Sequence, residues 1–224
     1  MPHETSSTKI FAFDAYGTLF DFNTVHRCAD QLGERAGALR ELWRSKQLQY
    51  FWERNMLGQY RPYEEITADA LDVAMRILKI DSPGLKRRLL DLYGDLEAYP
   101  EVKAALETLK QQSCRLVIHT NATARLAAAS VDSCGLGGLF DDIISIDDIG
   151  IYKPDPAAYR YLIHRTRASP EKIRFISSNG WDTHGAAHFG LKVIWVNRHS
   201  MPDDALPGKP YREVPNLRDI ALVQ

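Results

Sequence analysis

Apolar residues recur along this chain in two rhythms. Five short runs, at 10–13 (IFAF), 115–118 (RLVI), 143–146 (IISI), 173–176 (IRFI) and 193–196 (VIWV), predict strands covered on both faces. Between them, stretches 101–110, 124–133, 156–166 and 183–189 carry helical spacing. Val102, Ala105, Leu106 and Leu109 share one stripe, and Pro156 suits a first helical turn. Strand and helix in alternation predict an α/β core, a parallel sheet with helices on both faces. The interval 22–97 departs from this rhythm: it offers no convincing strand and reads as amphipathic helices, including 38–56, 64–79 and 84–96. We therefore expect core segments 1–21 and 98–224 with a helical cap domain, 22–97, inserted between them. The chain leaves just after the first strand, so the insertion should sit over that strand's carboxyl end, the edge at which open parallel sheets bind ligands. The tail 201–216, rich in proline and polar residues, reads as an irregular surface segment.

Composition narrows the partners. In 224 residues, 28 basic and 29 acidic side chains nearly cancel, which argues against nucleic acid or an anionic membrane and leaves a small-molecule ligand. The amino terminus MPHETSSTK lacks an apolar signal core, and no run of about 18 apolar residues appears, so a soluble cytoplasmic protein is expected. Cys28, Cys114 and Cys134 are scattered and odd in number, as expected of core thiols in a reduced compartment.

Polar residues follow four of the five runs: Asp14 and Thr18 after the first, Thr120 and Asn121 after the second, Lys153 after the third, and Ser177, Asn179 and Asp182 after the fourth. Taken singly, each fits an ordinary turn, helix cap or solvated loop. In a parallel sheet, however, all four ends point the same way and should converge in one crevice. Lys153 opposite Asp14 would make a buried carboxylate tolerable and keep it a usable nucleophile, while Asp182 would be a second carboxylate suited to taking a proton from water. His184 and His188 have the i, i+4 spacing that can bind zinc, yet no acidic third ligand accompanies them, so packing or surface roles are expected of them and of His119, His164 and His199.

The four clusters, in this order, resemble the haloacid dehalogenase superfamily over nearly the whole chain, which implies a Rossmann-like core and a strand-end aspartate that forms a covalent intermediate. Most members transfer phosphoryl groups and carry a second aspartate two residues after the nucleophile, which protonates the leaving oxygen and lends a carbonyl to magnesium. Here that place is Tyr16, a phenol with a pKa of about 10 and the wrong shape. The stretch SSNGWD also offers Ser177, Ser178 and Asn179 where an acidic magnesium ligand is usual. Halide is a leaving group that needs no proton. The stretches FDAYGTLFD, LWRSKQLQYFW, YKPDPAAY and SSNGWD together resemble the L-2-haloacid dehalogenase branch.

That resemblance implies that Asp14 displaces halide with inversion and that water cleaves the resulting ester. Asp182 would activate the water, with Asn179 orienting it, Ser177 and Lys153 completing the network and Thr18 steadying Asp14. Arg44 and Asn121 would receive the halide, and Thr120 with the backbone near Ala15 and Tyr16 would meet the substrate carboxylate. Tyr16, Leu48, Tyr63 and Trp181 would wall the alkyl side. Tyr159, counted with the substrate-binding residues, resembles a supporting tyrosine beside the lysine; a core aromatic is an equal reading of its position. No metal or organic cofactor is implied, and a homodimer is. Thr120, Ala122, Ser45 and Tyr63 stand where serine, glycine, glutamine and phenylalanine are usual, which leaves chain length and halide preference open. A phosphatase acting on a small phosphorylated metabolite is the alternative enzyme, and a non-catalytic anion-binding protein the third class.

Overall fold

The computed structural model describes residues 9–22 and 24–222. Along the chain run β1 (Ile10–Phe13), β2 (Phe20–Asp21), α1 (Ala29–Leu32), α2 (Arg35–Leu57), α3 (Tyr63–Ile77), α4 (Pro83–Asp91), β3 (Glu97–Ala98), α5 (Val102–Gln111) and β4 (Arg115–Thr120). Then follow α6 (Ala124–Ser133), β5 (Asp142–Ser145), α7 (Pro156–Thr166), β6 (Ile173–Ser177), α8 (Gly180–Phe189), β7 (Lys192–Val196) and β8 (Arg212–Val214). Six strands form one parallel sheet in the order β5-β4-β1-β6-β7-β8. After β1 the chain builds outward on one side through β4 and β5 and then returns to the other side of β1 for β6. The strand order therefore reverses at β1, which puts a crevice at its carboxyl end.

Alternation of side chains about the sheet explains the apolar runs. Phe11, Phe13, Leu116, Ile118, Ile176 and Ile194 enter one apolar layer, while Ile10, Ala12, Val117, Ile144, Phe175 and Val193 enter the layer on the opposite face. The first layer continues into the helical segment through Leu39, Trp43, Phe51, Ile66 and Leu71, all buried. That segment is joined to the sheet by a narrow antiparallel stem, β2 against β3, with Phe20 opposite Ala98 and Asp21 opposite Glu97. Asn55 of α2 ties it down farther along, accepting from the Tyr152 amide at 2.9 Å and donating to the Tyr152 carbonyl at 2.7 Å.

The tail differs from its sequence expectation. Within 201–216, β8 adds a sixth parallel strand, and Val214 is buried opposite Val196. Three residues with one inward apolar side chain leave no periodicity to read. Among the described residues no helix is long and apolar enough to cross a membrane.

Candidate active site

β1 delivers Asp14 to the crevice, and the Asp14 amide bonds to the Ile176 carbonyl of β6 at 2.8 Å. The chain then turns sharply at Gly17, whose φ is +87°; a Cβ there would lie 2.8 Å from the Phe22 ring. Only glycine accepts both the angle and the approach. The turn folds Thr18 back so that its hydroxyl donates to Asp14 Oδ2 at 2.9 Å while accepting from the Ser178 amide at 2.8 Å. Asn179, just before α8, also donates to Asp14 Oδ2, at 2.8 Å, and the Ser177 hydroxyl stands 3.5 Å from the same oxygen. One carboxylate oxygen is thus fixed from several directions by neutral groups.

The other oxygen faces Lys153, whose side chain is fully buried. Its ammonium has three donors and spends all of them: Asp14 Oδ1 at 3.1 Å, Asp182 Oδ2 at 2.9 Å and the His119 carbonyl at 2.7 Å. Burial works against its charge, but the two carboxylates outweigh burial and hold its pKa above the ordinary lysine value. Asp182 is pushed up to about 6 by burial, with the Asp14 charge adding to the effect and Lys153 and Tyr159 opposing it. A carboxylate so placed is a capable proton acceptor near neutral pH. His119 is held neutral, far below its usual pKa, by burial and by the lysine.

Arg44 reaches this cluster from α2. Its Nη2 donates to Asn179 Oδ1 at 3.1 Å, and its guanidinium lies 4.7 Å from the Phe22 ring centre. Arg44 and Leu48 also line a cleft of about 770 Å³ with Phe22, Trp52, Tyr99 and His199. Tyr16 stacks on Tyr63 with centroids 5.4 Å apart. Both rings are buried, and among the described residues neither hydroxyl has a partner at hydrogen-bond distance. Burial raises the pKa of each, so they stay neutral. Trp181 meets Trp52 edge-on at 6.1 Å. The Thr120 hydroxyl accepts from the Ala122 amide at 3.1 Å, and Asn121 Oδ1 accepts from the Lys153 amide at 2.9 Å. Ala15 is buried, and its carbonyl takes the Leu19 amide at 2.8 Å to close the Gly17 turn.

Tyr159 stands behind the cluster. It is fully buried in the layer on the far face of the sheet, 5.8 Å from the Phe175 ring, and its hydroxyl donates to Asp182 Oδ1 at 2.8 Å. It contacts Asp182 from the far face of the sheet. His184 is engaged structurally, with Nδ1 on the Gly208 carbonyl and Nε2 at 3.0 Å from Asp203.

The superfamily's magnesium pattern uses two oxygens, the nucleophile carboxylate and the carbonyl two residues on. Here a single group, Asn179 Nδ2, donates to both, at 2.8 Å to Asp14 Oδ2 and 3.0 Å to the Tyr16 carbonyl. A hydrogen-bond donor occupies the space a cation would need, and hard cations seek oxygen ligands. These residues do not fit a magnesium ion.

The haloacid dehalogenase-like hydrolase family matches residues 8–190. The chain belongs to that family, in its (S)-2-haloacid dehalogenase branch. It is 38% identical over 200 residues to (S)-2-haloacid dehalogenase 4A of Burkholderia cepacia, covering 88% of this chain and 87% of that one. To haloacetate dehalogenase H-2 of Moraxella sp. (strain B) it is 40% identical over 206 residues, 91% of this chain and 92% of the relative. The structure of L-2-haloacid dehalogenase from Xanthobacter autotrophicus with chloropropionic acid covalently bound superposes with a TM-score of 0.89 at 28% identity, covering 96% and 98% of the two chains.

Two partners in this hydrolase escaped the sequence reading. The His119 carbonyl, which takes one lysine proton, carries no residue signal because any residue supplies a carbonyl. Gln47 does carry one: it lies three residues after Arg44 and therefore on the same face of α2.

Proposed function

We propose that the enzyme hydrolyses short L-2-haloalkanoates to D-2-hydroxyalkanoates through an Asp14 ester, without metal or organic cofactor. The observation carrying this reading is the division of labour around Asp14: neutral donors and a lysine hold the carboxylate, while Arg44 bonds to neutral amides, unlike Arg198, which binds the Thr18 carbonyl and is paired with Glu101. An Asp14 oxygen forms a bond to C2 from behind as the carbon–halogen bond breaks, and the electron pair departs on the halide beside Arg44 and Asn121. Thr120 and the backbone at Ala15 and Tyr16 take the substrate carboxylate. Leu48, Tyr63, Trp181 and the Tyr16 ring bound the alkyl side. Water then attacks the Asp14 carbonyl carbon, oriented by Asn179 and Ser177, and gives a proton to Asp182. The ester breaks on its acyl side, the leaving alkoxide recovers that proton, and the second proton of the water leaves to solvent, so that Asp14 returns as the carboxylate and one proton is released for each halide. Lys153 balances the carboxylates throughout.

The covalently bound chloropropionic acid in the Xanthobacter relative supports the ester. The haloacetate dehalogenase among the relatives supports a small alkyl pocket. We read segment 22–97 as a cap domain over a core of 1–21 and 98–224, and the working unit as a homodimer; a mass of one chain in light scattering would remove the latter. The decisive assay follows chloride release from L- and D-2-chloropropionate with and without chelator. Release from the L isomer alone, unchanged by chelator, is expected. No release, or release lost with chelator, overturns the reading, and magnesium-dependent turnover of p-nitrophenyl phosphate would replace it with a phosphatase.

A further inference from the structure

Arg44 must hold its charge toward a departing anion, yet an arginine side chain on a helix surface is free to swing through many rotamers. The structure assigns this restraint to Gln47. Its side chain is completely buried, and Oε1 accepts from Arg44 Nη1 at 2.8 Å. Its own amide is fixed in turn, because Nε2 donates to the Thr67 hydroxyl of α3 at 2.6 Å and that hydroxyl donates to the Tyr63 carbonyl at 2.7 Å. With Asn179 on Nη2, both terminal nitrogens of Arg44 are pinned, one from the helical segment and one from the strand edge.

The chemical type of the residue matters as much as its place. A carboxylate at 47 would hold the guanidinium more tightly but would neutralise the charge intended for the halide. An apolar residue would leave the charge intact and let it wander. A neutral amide acceptor does neither. We propose that Gln47 is a positioning residue, acting through Arg44, that keeps the halide-facing cation both oriented and unneutralised. The proposal rests on the dehalogenase reading above and adds a residue to it.

The experiment compares the wild type with Gln47→Leu and Gln47→Glu on L-2-chloropropionate and L-2-bromopropionate, with thermal melting to check folding and inhibition by added bromide as a direct readout of the halide site. Chloride is the poorer leaving group and concentrates more charge, so it leans harder on the cation. Misplacing or cancelling a charge at the reacting centre should lower kcat for the chloro substrate about 10- to 100-fold, with KM nearly unchanged. The loss for the bromo substrate should be several-fold smaller, and bromide should inhibit Gln47→Glu more weakly. Gln47→Glu keeps the volume and the acceptor toward Arg44, and the Thr67 hydroxyl can turn from the Tyr63 carbonyl to donate to its second oxygen, so it reports even where Gln47→Leu folds poorly. Folded variants with wild-type rates, or with equal losses on both substrates and unchanged bromide inhibition, overturn the positioning role. A wild type that releases neither halide overturns the dehalogenase reading itself, before any variant is considered.

Discussion

The strand edge and helix α2 treat charge in opposite ways. At the strand edge, Asp14, Lys153 and Asp182 are buried together, two carboxylates against one ammonium, and each charge touches another. On α2, Arg44 bonds to two amides and lies over an aromatic face. The first arrangement conserves a nucleophile and base that a buried site would otherwise discharge, since an isolated buried charge is very costly. The second leaves a full positive charge uncommitted until an anion arrives. A site that expels an anion from carbon needs both. Joining them is one neutral side chain, Asn179, which binds Asp14 through its Nδ2 and Arg44 through its Oδ1.

The strand-edge half breaks most completely. Asp14→Asn should lower halide release by about 10³-fold or more, because an amide is a far weaker nucleophile than the carboxylate that forms the ester; chloride titration under saturating substrate measures it. Single turnover in heavy-oxygen water checks the route, with label expected first in the Asp14 side chain of the wild type. Label appearing only in the product would mean direct attack by water. Lys153→Met tests the electrostatic part of the same half. Removing the cation leaves two buried carboxylates facing each other, a change that typically costs about 3–5 kcal/mol. Urea unfolding at neutral pH should show that loss, and activity should fall with it.

Arg44→Lys probes the other half more gently. Lysine keeps the charge but lacks the fork that binds Gln47 and Asn179 at once. We expect kcat on L-2-chloropropionate to fall by about 10- to 100-fold, less on the bromo analogue, with little change in melting temperature. A uniform loss on both substrates would place Arg44 in substrate binding and not at the leaving group.

Much of this was legible in the chain because it is carried by residue type at strand ends. The apolar runs located five strands of the main sheet, and the residues after them located Asp14, Lys153, Asn179 and Asp182, which the fold brings into one hydrogen-bonded cluster. What escaped lacks such a signal. β8 is three residues long and pairs through its backbone. The lysine's third partner is a carbonyl. Gln47 sits in a helix whose pattern shows which face is buried, while its contact with α3 through Thr67 depends on how two helices pack. Tyr159 shows a related limit: the resemblance put a tyrosine beside the lysine loop, but the side of the sheet on which α7 packs decides whether it meets substrate or the back of Asp182.

That back-side contact carries the mildest prediction. Asp182 must be ionised to accept a proton, and its pKa is pushed up to about 6, so kcat should lose its base as pH falls through that value. The sign follows from the chemistry: below the pKa the carboxyl is protonated and the rate declines about tenfold per pH unit, while above it the rate is flat until another group titrates. The Tyr159 hydroxyl donates to the ionised form and opposes the rise. Tyr159→Phe removes that donor without adding volume. A hydrogen bond to a charged group is worth about 1.5–3 kcal/mol, which corresponds to about one to two pH units. The acid limb should move upward by about one unit, since water entering the space can replace part of the bond, and kcat at pH 9 should change by less than about threefold. A limb that stays in place would show that Asp182 is not the group titrating, and the base would then have to be sought among the residues that face Asp14 directly.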